Sequence, residues 1–448
     1  MTLSRNGKLA LLVYGVLLAI YAATANTRLR GPSQDTHFVY QAKMFLEHRL
    51  DLGHAPPNQN DWAEVEYLTL KDGRQIAGCF LKTQPPNHFR SLKGVIESIP
   101  DSEIASRSKK FYVSFPPFPA ILMLPAVAIA GLAANDVLFT VLLAPLGPML
   151  LFLVLRRLAA RGDSQRSEED DLWLTALFAI GSVYYYSSIL GQVWYTAHIV
   201  ATALCGLFVL ASLDVRRPVL AGLALGALTL TRPQMGFVGI FFLYEAWRKM
   251  ELNVGTLSRI GVPVMLLGAV GAWFNYARFG SIAEFGHFYL NVRWTERIQR
   301  YGLFHYAFLS RNLAAAFTLT PKLLAKKPYI QVSWHGMSML LTTPALLYLL
   351  WPRVTGGLHR ALWVTVAPIA ILSLLYQNDG WVQFGFRFSI DYLFLLVMLL
   401  AIGGRPLTRV WKAVIIFGVI VNLFGALTFG RAWTYYHEGF FPISSADL

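Results

Sequence analysis

Residues 8–25, KLALLVYGVLLAIYAATA, form an unbroken apolar stretch. A helix of about this length crosses the hydrocarbon core of a bilayer. Arg5 and Lys8 flank its start, and by the positive-inside rule they keep the N-terminus in the cytoplasm and send the chain outward after Ala25. The chain therefore begins with a predicted membrane helix.

The composition of the whole chain agrees with this start. Of its 448 residues, 55% are hydrophobic and 14% are charged, and the mean hydropathy is +0.46. A soluble chain carries about 25% charged residues. The net charge of +14, from 39 basic and 25 acidic residues, gathers beside apolar stretches, where it sets topology and meets lipid phosphates. This composition excludes a disordered chain, a collagen, a disulfide scaffold and a soluble nucleic-acid binder.

We predict an all-α polytopic membrane protein of about eleven transmembrane helices, with the N-terminus inside and the C-terminus outside. Basic residues recur in the turns that this topology puts inside, such as Arg156-Arg157 and Arg248-Lys249. The count requires that residues 115–131, which contain four prolines, form a re-entrant or interfacial segment. The candidate spans are residues 8–25, 136–155, 172–190, 197–213, 218–231, 233–247, 258–276, 337–351, 361–377, 387–403 and 410–429.

The same pattern divides the chain into five parts. They are a first transmembrane helix (1–25), a first periplasmic loop with juxtamembrane and re-entrant segments (26–135), a transmembrane bundle (136–276), a second periplasmic loop (277–336), and C-terminal transmembrane helices with a periplasmic tail (337–448). Both long loops lie outside in this topology. Because loops on a rigid bundle carry most binding and catalytic residues, we expect the chemistry on the outer face.

Asp35 is the first candidate catalytic residue. It lies in the first turn of residues 31–50, GPSQDTHFVYQAKMFLEHRL, an amphipathic segment predicted to lie on the outer leaflet as a helix. A carboxylate held there can accept a proton from an acceptor hydroxyl or amine, or it can simply support the helix start. His37 either assists Asp35 or lies at the level of the lipid headgroups. The spacing leaves both questions open.

From this segment onward the chain resembles the GT-C superfamily of integral-membrane glycosyltransferases, whose relatives include protein O-mannosyltransferases and the lipid A aminoarabinose transferase. The pieces that carry the resemblance are Asp35, Tyr40-Gln41-Ala42-Lys43, Ser114-Phe115-Pro116-Pro117-Phe118-Pro119, Gln192 with His198, Thr231-Arg232-Pro233, Asn275-Tyr276-Ala277-Arg278-Phe279-Gly280 and Gly385-Phe386-Arg387-Phe388. Their order runs through nearly the whole chain. Many relatives carry a second acidic residue beside the first-loop acid, whereas Thr36 follows Asp35, so we predict neither a metal site nor a cofactor.

The resemblance implies that Arg232 meets the phosphate of a polyprenyl-phosphate donor, and arginine suits that role because its guanidinium binds phosphate with a fixed fork of donors. The alternative is an arginine that reaches lipid headgroups. Arg387 lies four residues before Asp391, so we expect an ion pair that either orients Arg387 toward phosphate or is structural.

His198, Lys43 and His37 complete the group of predicted substrate-binding residues. The resemblance puts His198 at the edge of the catalytic cavity, although a histidine at a span end is more often an interfacial anchor. Glu284 and His287 in the second outer loop are further candidates for lining the site.

The sequence thus predicts a glycosyltransferase of a bacterial inner membrane, with its active site facing the periplasm. It would move a sugar from a polyprenyl-phosphate donor to a glycan, lipid or protein acceptor with inversion, using Asp35 as general base. The lipid bilayer is its expected environment, and no nucleic-acid partner is expected. The competing functions are a lipid or glycan transporter or flippase, and a polysaccharide ligase or polymerase.

Overall fold

The computed structural model of the chain describes residues 4–439. The predicted cytoplasmic N-terminus and the end of the predicted periplasmic tail fall on residues 1–3 and 440–448, which lie outside the described residues. Helices dominate the fold, in agreement with the predicted class, but β-strands are also present.

The α-helices are named here in chain order. They are α1 (Arg5–Ala25), α2 (His37–Leu46), α3 (Phe118–Ala130), α4 (Asp136–Leu143), α5 (Leu146–Ala160), α6 (Glu168–Ala179), α7 (Tyr184–Ser187), α8 (Val193–Ser212), α9 (Pro218–Thr229), α10 (Gly239–Arg248), α11 (Val254–Phe279), α12 (Thr295–Tyr301), α13 (Leu309–Leu313), α14 (Met339–Thr342), α15 (Gly357–Leu375), α16 (Ile390–Ile402) and α17 (Arg409–Thr428).

Among the described residues, six helical segments are long and apolar enough to cross a membrane. They are Arg5–Arg30, Asp136–Ala160, Val193–Val215, Val254–Phe279, Gly357–Leu375 and Arg409–Thr428. Each coincides with a predicted span. The other five predicted spans are shorter or interrupted helices, so the number of crossings stays a prediction.

Of the shorter helices, α16 lies in the interior of the bundle. Every residue of α16 is buried, and its 13 residues give a helix of about 20 Å, less than the hydrocarbon thickness of a bilayer. Short 3₁₀ segments at Arg387–Ser389 and Pro233–Val238 precede α16 and α10. The 3₁₀ turn and the α-helix of each such segment are both apolar, so the sequence predicts one whole span where the helix is interrupted.

The segment predicted as the first periplasmic loop contains a β-sheet, which corrects the all-α prediction. Its antiparallel strands are β1 (Trp62–Leu70), β2 (Gln75–Phe80), β3 (His88–Ser91), β4 (Ile96–Ser98) and β5 (Ile104–Val113), in the order β4-β3-β2-β1-β5. The predicted amphipathic helix is present as α2. The proline-rich stretch forms α3, which has 13 residues and contains Pro125.

This sheet is joined to α11 and to the second long loop. Arg278, at the end of α11 and only 1% exposed, donates from Nη1 to the Val113 carbonyl at the end of β5, 2.6 Å away. Ala63 of β1 forms an antiparallel bridge with Leu290 of the second long loop. The two long loops are therefore in direct contact.

The second long loop has less regular structure. It includes α12, α13 and the two short strands β6 (Lys322–Leu323) and β7 (Ile330–Ser333). β7 pairs in parallel with β8 (Tyr436–His437), which follows α17. The C-terminal segment thus packs against the second loop.

At another end of the bundle, basic residues from two turns meet Asp214. Its carboxylate lies 2.7 Å from Nη2 of Arg157 and 3.0 Å from Nζ of Lys249. Nearby, Arg161 forms a two-pronged pair with the buried Glu245, at 2.9 and 3.0 Å. These are turns that the sequence predicts to lie on the same, inner side.

Candidate functional site

The start of α8 holds two carboxylates of the first outer loop. Gln192, the residue before α8, donates from Nε2 to Oδ2 of Asp35 at 2.9 Å. Two residues later, Trp194 donates from Nε1 to Oδ2 of Asp61 at 2.9 Å. Gly191 makes the turn before α8 with a φ of +78°, and a Cβ there would lie 2.6 Å from the backbone of Val137. The tight turn therefore requires glycine.

Asp35 is buried and surrounded by amide donors. Besides Gln192, Asn60 donates to its Oδ1 at 3.0 Å and Asn58 donates to the same oxygen at 3.4 Å. The Trp62 indole in turn donates to Asn58 Oδ1 at 2.9 Å. Asp35 is therefore the centre about which residues 58–62 fold.

Asp61 points the other way, into a cavity. Its φ of +57° lies in the left-handed region, which asparagine and aspartate adopt more readily than other non-glycine residues. The Ser114 hydroxyl holds its backbone by donating to the Asp61 carbonyl at 2.9 Å. Burial raises the pKa of the Asp61 carboxyl to about 6, against the opposing effect of the Trp194 hydrogen bond. A carboxylate with such a pKa is suited to proton transfer near neutral pH.

The cavity has a volume of about 380 Å³. It lies between the start of α8, the segment joining α9 to α10, the end of α15 and both long loops. Its polar lining includes Asp61, Ser114, Trp194, His198, Thr231, Arg232, Gln234, His287, Ser373, Tyr376, Gln377, Asn378, Trp381 and Arg387. Apolar side chains, including Phe237, Phe304 and Leu372, form much of the remainder. An apolar wall with a few convergent polar groups is typical of a small-molecule site.

Asp391 organises one wall of this cavity. Arg232 donates to it from Nη2 at 2.6 Å and from Nε at 3.2 Å, and Gln234 donates at 2.8 Å. The buried His198 donates from Nδ1 to Oδ1 of Asp391 at 2.8 Å. This bond leaves His198 Nε2 buried without a partner among the described residues. Arg232 and Asp391 thus balance each other's charge.

Arg387 is placed differently from the prediction. Because Arg387–Ser389 is a 3₁₀ turn and α16 begins only at Ile390, Arg387 does not lie one α-helical turn before Asp391. Within residues 4–439, Arg387 has no carboxylate oxygen within 4 Å, so the expected ion pair with Asp391 is absent. Its side chain is held by the Val382 carbonyl, which accepts from Nη1 at 3.2 Å.

Arg387 is nevertheless well buried, at 4% exposure, and its Nε has no hydrogen-bond partner among the described residues. Its guanidinium lies 5.3 Å from the ring centre of Tyr195 and 6.0 Å from that of Trp194. It also lies close enough to Asp61 to lower the pKa of that carboxyl. The cavity therefore contains a buried cation without a paired carboxylate.

A rigid loop after α15 supports Arg387. Asp379, 2% exposed, accepts from His335 Nδ1 at 2.6 Å and from the Trp381 backbone at 3.1 Å. Gln383 donates to the Asp379 carbonyl at 2.7 Å and accepts from the Arg387 backbone N–H at 2.9 Å. The His335 side chain and Arg311 help to lower the pKa of the Asp379 carboxyl. Asp379 is thus a charged anchor of the loop that ends at Arg387.

The second outer loop supplies one predicted candidate to the cavity and one to its frame. His287 lines the cavity, and its buried Nδ1 has no partner among the described residues. Burial lowers the pKa of His287 to about 4. Glu284 instead accepts from the Gly286 backbone at 2.6 Å and shapes the loop.

Of the remaining predicted residues, none lines the cavity. His37 is buried and stacks on Trp62, with ring centres 3.9 Å apart, and burial lowers its pKa to about 4. Lys43 lies on α2 and pairs with Glu47 at 3.1 Å. Asp35 lies behind Asp61. The structure thus brings Arg232, Arg387 and His198 together, and it adds Asp61, which the sequence reasoning missed.

Within residues 4–439, no group of three or more histidine, cysteine, aspartate or glutamate side chains is arranged to hold a metal ion.

Comparisons with known proteins give little further guidance. No protein-family model matches the chain, and neither does any curated protein. Two solved structures are similar in fold. The apo Archaeoglobus fulgidus oligosaccharyltransferase matches at 15% identity with a TM-score of 0.42, over 96% of this chain and 57% of that one.

The second is the archaeal oligosaccharyltransferase AglB from Archaeoglobus fulgidus in complex with an inhibitory peptide and a dolichol-phosphate. It matches at 13% identity with a TM-score of 0.45, over 97% of this chain and 56% of that one. The chain therefore spans little more than half the length of these structures. Structural similarity at these TM-scores and identities does not indicate the activity of this chain.

Proposed function

We propose that the chain is a membrane glycosyltransferase that moves a sugar from a polyprenyl-phosphate donor to an acceptor at the outer face. The observation that carries this proposal is the buried, carboxylate-free Arg387, which shares a partly apolar cavity with Asp61. A guanidinium in such a place can bind a lipid-linked phosphate, and a nearby carboxylate can activate a nucleophile.

In this proposal the phosphate of the donor lies against Arg387. Arg232 contributes with its remaining nitrogen, Nη1, because Nε and Nη2 are engaged by Asp391. Apolar residues such as Phe237 and Leu372 suit the first units of the lipid chain. His198 presents Nε2 as an acceptor for a sugar hydroxyl, since its Nδ1–H is given to Asp391.

The reaction is an inverting displacement at the anomeric carbon. A carboxylate removes the proton of the acceptor hydroxyl or amine, the acceptor atom attacks, and the lipid phosphate leaves with the electron pair of the broken C–O bond. Arg387 stabilises the charge that develops on the departing phosphate. Asp35, the base predicted from the sequence, and Asp61 are the two carboxylates at this end of α8.

The test is binding of a polyprenyl monophosphate, the lipid product that remains after transfer, to the purified protein in detergent. Arg387→Gln should weaken binding by roughly tenfold to a hundredfold, the usual effect of losing a hydrogen-bonded charge. The affinity of Arg387→Lys should lie between those of the wild type and Arg387→Gln, because lysine keeps the charge but lacks the forked pair of donors. Arg259→Gln, at an exposed position on α11, is the matched control.

Binding by the wild type that is unchanged in Arg387→Gln would contradict the placement of the phosphate. A wild-type protein that binds no polyprenyl phosphate would contradict the proposed donor. A second readout is a comparison of envelope glycans with and without the gene, in which one sugar should be missing. A flippase would leave that sugar attached to its lipid.

A further inference from the structure

The two carboxylates at the start of α8 differ in the hydrogen bonds that their oxygens accept and in their access to the cavity. Both oxygens of Asp35 are occupied, Oδ1 by the amides of Asn58 and Asn60 and Oδ2 by the amide of Gln192. Asp35 is 5% exposed and is not part of the cavity wall. A carboxylate that holds three amide donors and lies outside the cavity wall is not placed to take a proton from an acceptor in the cavity.

Asp61 has the opposite arrangement. It belongs to the cavity wall, and the described residues give its Oδ2 the Trp194 hydrogen bond and its Oδ1 none. The neighbouring residue Asn60 is one of the donors to Asp35. Residues 58–62 therefore anchor on Asp35 and turn Asp61 toward the cavity.

We propose that Asp61 is the carboxylate that takes the acceptor proton, and that Asp35 is a positioning residue that holds the segment carrying it. This inference rests on the proposed function and names its base. Asp61 Oδ1 accepts the proton of the acceptor hydroxyl or amine as the acceptor atom bonds to the anomeric carbon. The bond from that carbon to the lipid phosphate oxygen breaks, and its electron pair leaves with the phosphate.

The left-handed backbone of Asp61 is a second sign of a constrained functional position. Non-glycine residues with positive φ cost free energy, and they persist where the surrounding structure holds them. Here the Ser114 hydroxyl holds the Asp61 carbonyl, and Trp194 holds one carboxylate oxygen. The Ser114 bond continues the pairing of β1 with β5 beyond Trp62 and Val113, whereas the Trp194 bond comes from α8 and fixes the direction of the Asp61 side chain.

The groups that face Asp61 set the pH at which it ionises. Arg387 and the Trp194 N–H lower its pKa, whereas burial and the Asp35 charge raise it, and the balance is a pKa of about 6. Tyr376, from the end of α15, also lies within electrostatic range of Asp61. The rate of sugar transfer should therefore fall as the pH decreases through about 6, because the base becomes protonated.

The experiment measures transfer by purified protein added to membranes from cells that lack the gene, which supply donor and acceptor, from about pH 5 to pH 8. Asp61→Asn should reduce transfer by a hundredfold or more, in line with the usual contribution of a general base of about 10²–10⁴. Asp35→Asn, compared per folded molecule, should reduce transfer far less than Asp61→Asn does. The loss of activity at low pH, the acidic limb of the profile, should remain but move to lower pH, because the Asp35 charge that raises the Asp61 pKa is removed.

Trp194→Phe provides the decisive arm, since it keeps an aromatic side chain and removes the N–H donor to Asp61. Loss of that hydrogen bond should move the acidic limb upward by about one pH unit. Trp273→Phe, at an exposed position on α11, is the matched control and should leave the limb in place. A merely structural role for Trp194 would change the amount of folded protein without moving the limb.

The inference is overturned if Asp61→Asn keeps transfer within threefold of the wild type, or if Trp194→Phe leaves the acidic limb unmoved. Either result would leave the proposed function standing as long as the wild type transfers sugar. A wild-type protein that restores no glycan and binds no polyprenyl phosphate would instead reject the proposed function itself. If Asp61→Asn does not fold, the pH of the acidic limb in Trp194→Phe decides the question alone.

Discussion

The Asp61 carboxylate carries a cost to stability that its chemistry explains. Its pKa of about 6 in the folded protein exceeds the ordinary value of 3.8, so folding opposes its ionisation. A group of this kind destabilises the fold as the pH rises through about 6, and the penalty is absent below about pH 4. A shift of this size corresponds to at most about 3 kcal/mol, reduced by the partial exposure of the side chain.

Asp61→Asn should therefore stabilise the protein at neutral pH while it removes activity. We expect the melting temperature in detergent to rise relative to the wild type at pH 7, by an amount corresponding to about 1–2 kcal/mol. The gain should shrink as the pH falls and disappear near pH 4. A variant that is less stable than the wild type at pH 7 would mean that the charge of Asp61 supports the fold.

The residues of the site differ in how visible they are in the sequence. Arg232, Arg387 and His198 stand out because they are polar residues at the ends of apolar stretches, and the cavity contains all three. Asp61 lies in a polar segment among several other polar residues, so nothing local distinguishes it. Its position depends on Trp194, 133 residues away, and on the folding of residues 58–62 about Asp35.

At the scale of elements, the sequence contains local signals for the five-stranded sheet β1–β5, although we predicted an all-α fold. Trp62–Leu70 alternates between buried and partly exposed positions over much of its length, and Asp72-Gly73 makes the turn to β2, with Gly73 at a φ of +87°. An Asp-Gly pair between alternating segments is a strong hairpin signal. The strands of this segment are too polar to form long apolar stretches, so the search for apolar stretches predicts a loop there.

Arg278 is the element-scale contact whose loss should be most damaging to this sheet. It is fully buried, and its nitrogens reach the Phe274 and Val113 carbonyls and Asn275 Oδ1, while its guanidinium lies 3.7 Å from the Phe274 ring centre. Lysine cannot reproduce this fork. Arg278→Lys should lower the free energy of unfolding by about 2–4 kcal/mol, as loss of a buried hydrogen-bonded charge does.

The measurement is limited proteolysis of the purified protein, with cleavage sites read by mass spectrometry. Cleavage within residues 62–113 should become faster in Arg278→Lys, because the sheet is no longer held to α11. Arg259→Lys, at an exposed position on the same helix, should match the wild type. Equal cleavage rates in both variants would show that the contacts with the second long loop, including the Ala63–Leu290 bridge, are sufficient to dock the sheet without Arg278.

At the scale of the whole molecule, the contact between the two long loops constrains the topology. Ala63 and Leu290 are bridged, so we expect both loops on one side of the membrane. Three of the six long apolar helices separate β5 from the second loop, and an odd number of crossings would put the loops on opposite sides. If these three helices cross, we expect an odd number of the shorter segments to cross as well.

The pair α9 and α10 shows how short helices can do this. The turn between them carries Arg232 to the cavity, whereas the far ends of the pair meet where Lys249 contacts Asp214. Each helix alone is shorter than about 20 Å, but the 3₁₀ segment Pro233–Val238 extends the path, and Met235 and Val238 of this segment are buried. If both cross, α6 with α7 or α3 must supply the odd crossing.

We therefore predict that residues 71 and 326 face the outside and that residue 251 faces the inside. The three positions are exposed, so Lys71→Cys, Lys326→Cys and Glu251→Cys can each be introduced singly after Cys79→Ser and Cys205→Ala. In intact cells a membrane-impermeant maleimide should label the first two, and Glu251→Cys only after permeabilisation. Labelling of Lys71→Cys and Lys326→Cys from opposite sides would contradict the loop contact itself. Labelling of all three in intact cells would mean that an even number of segments crosses between residues 71 and 251, and that the basic residues around Asp214 do not mark an inner surface.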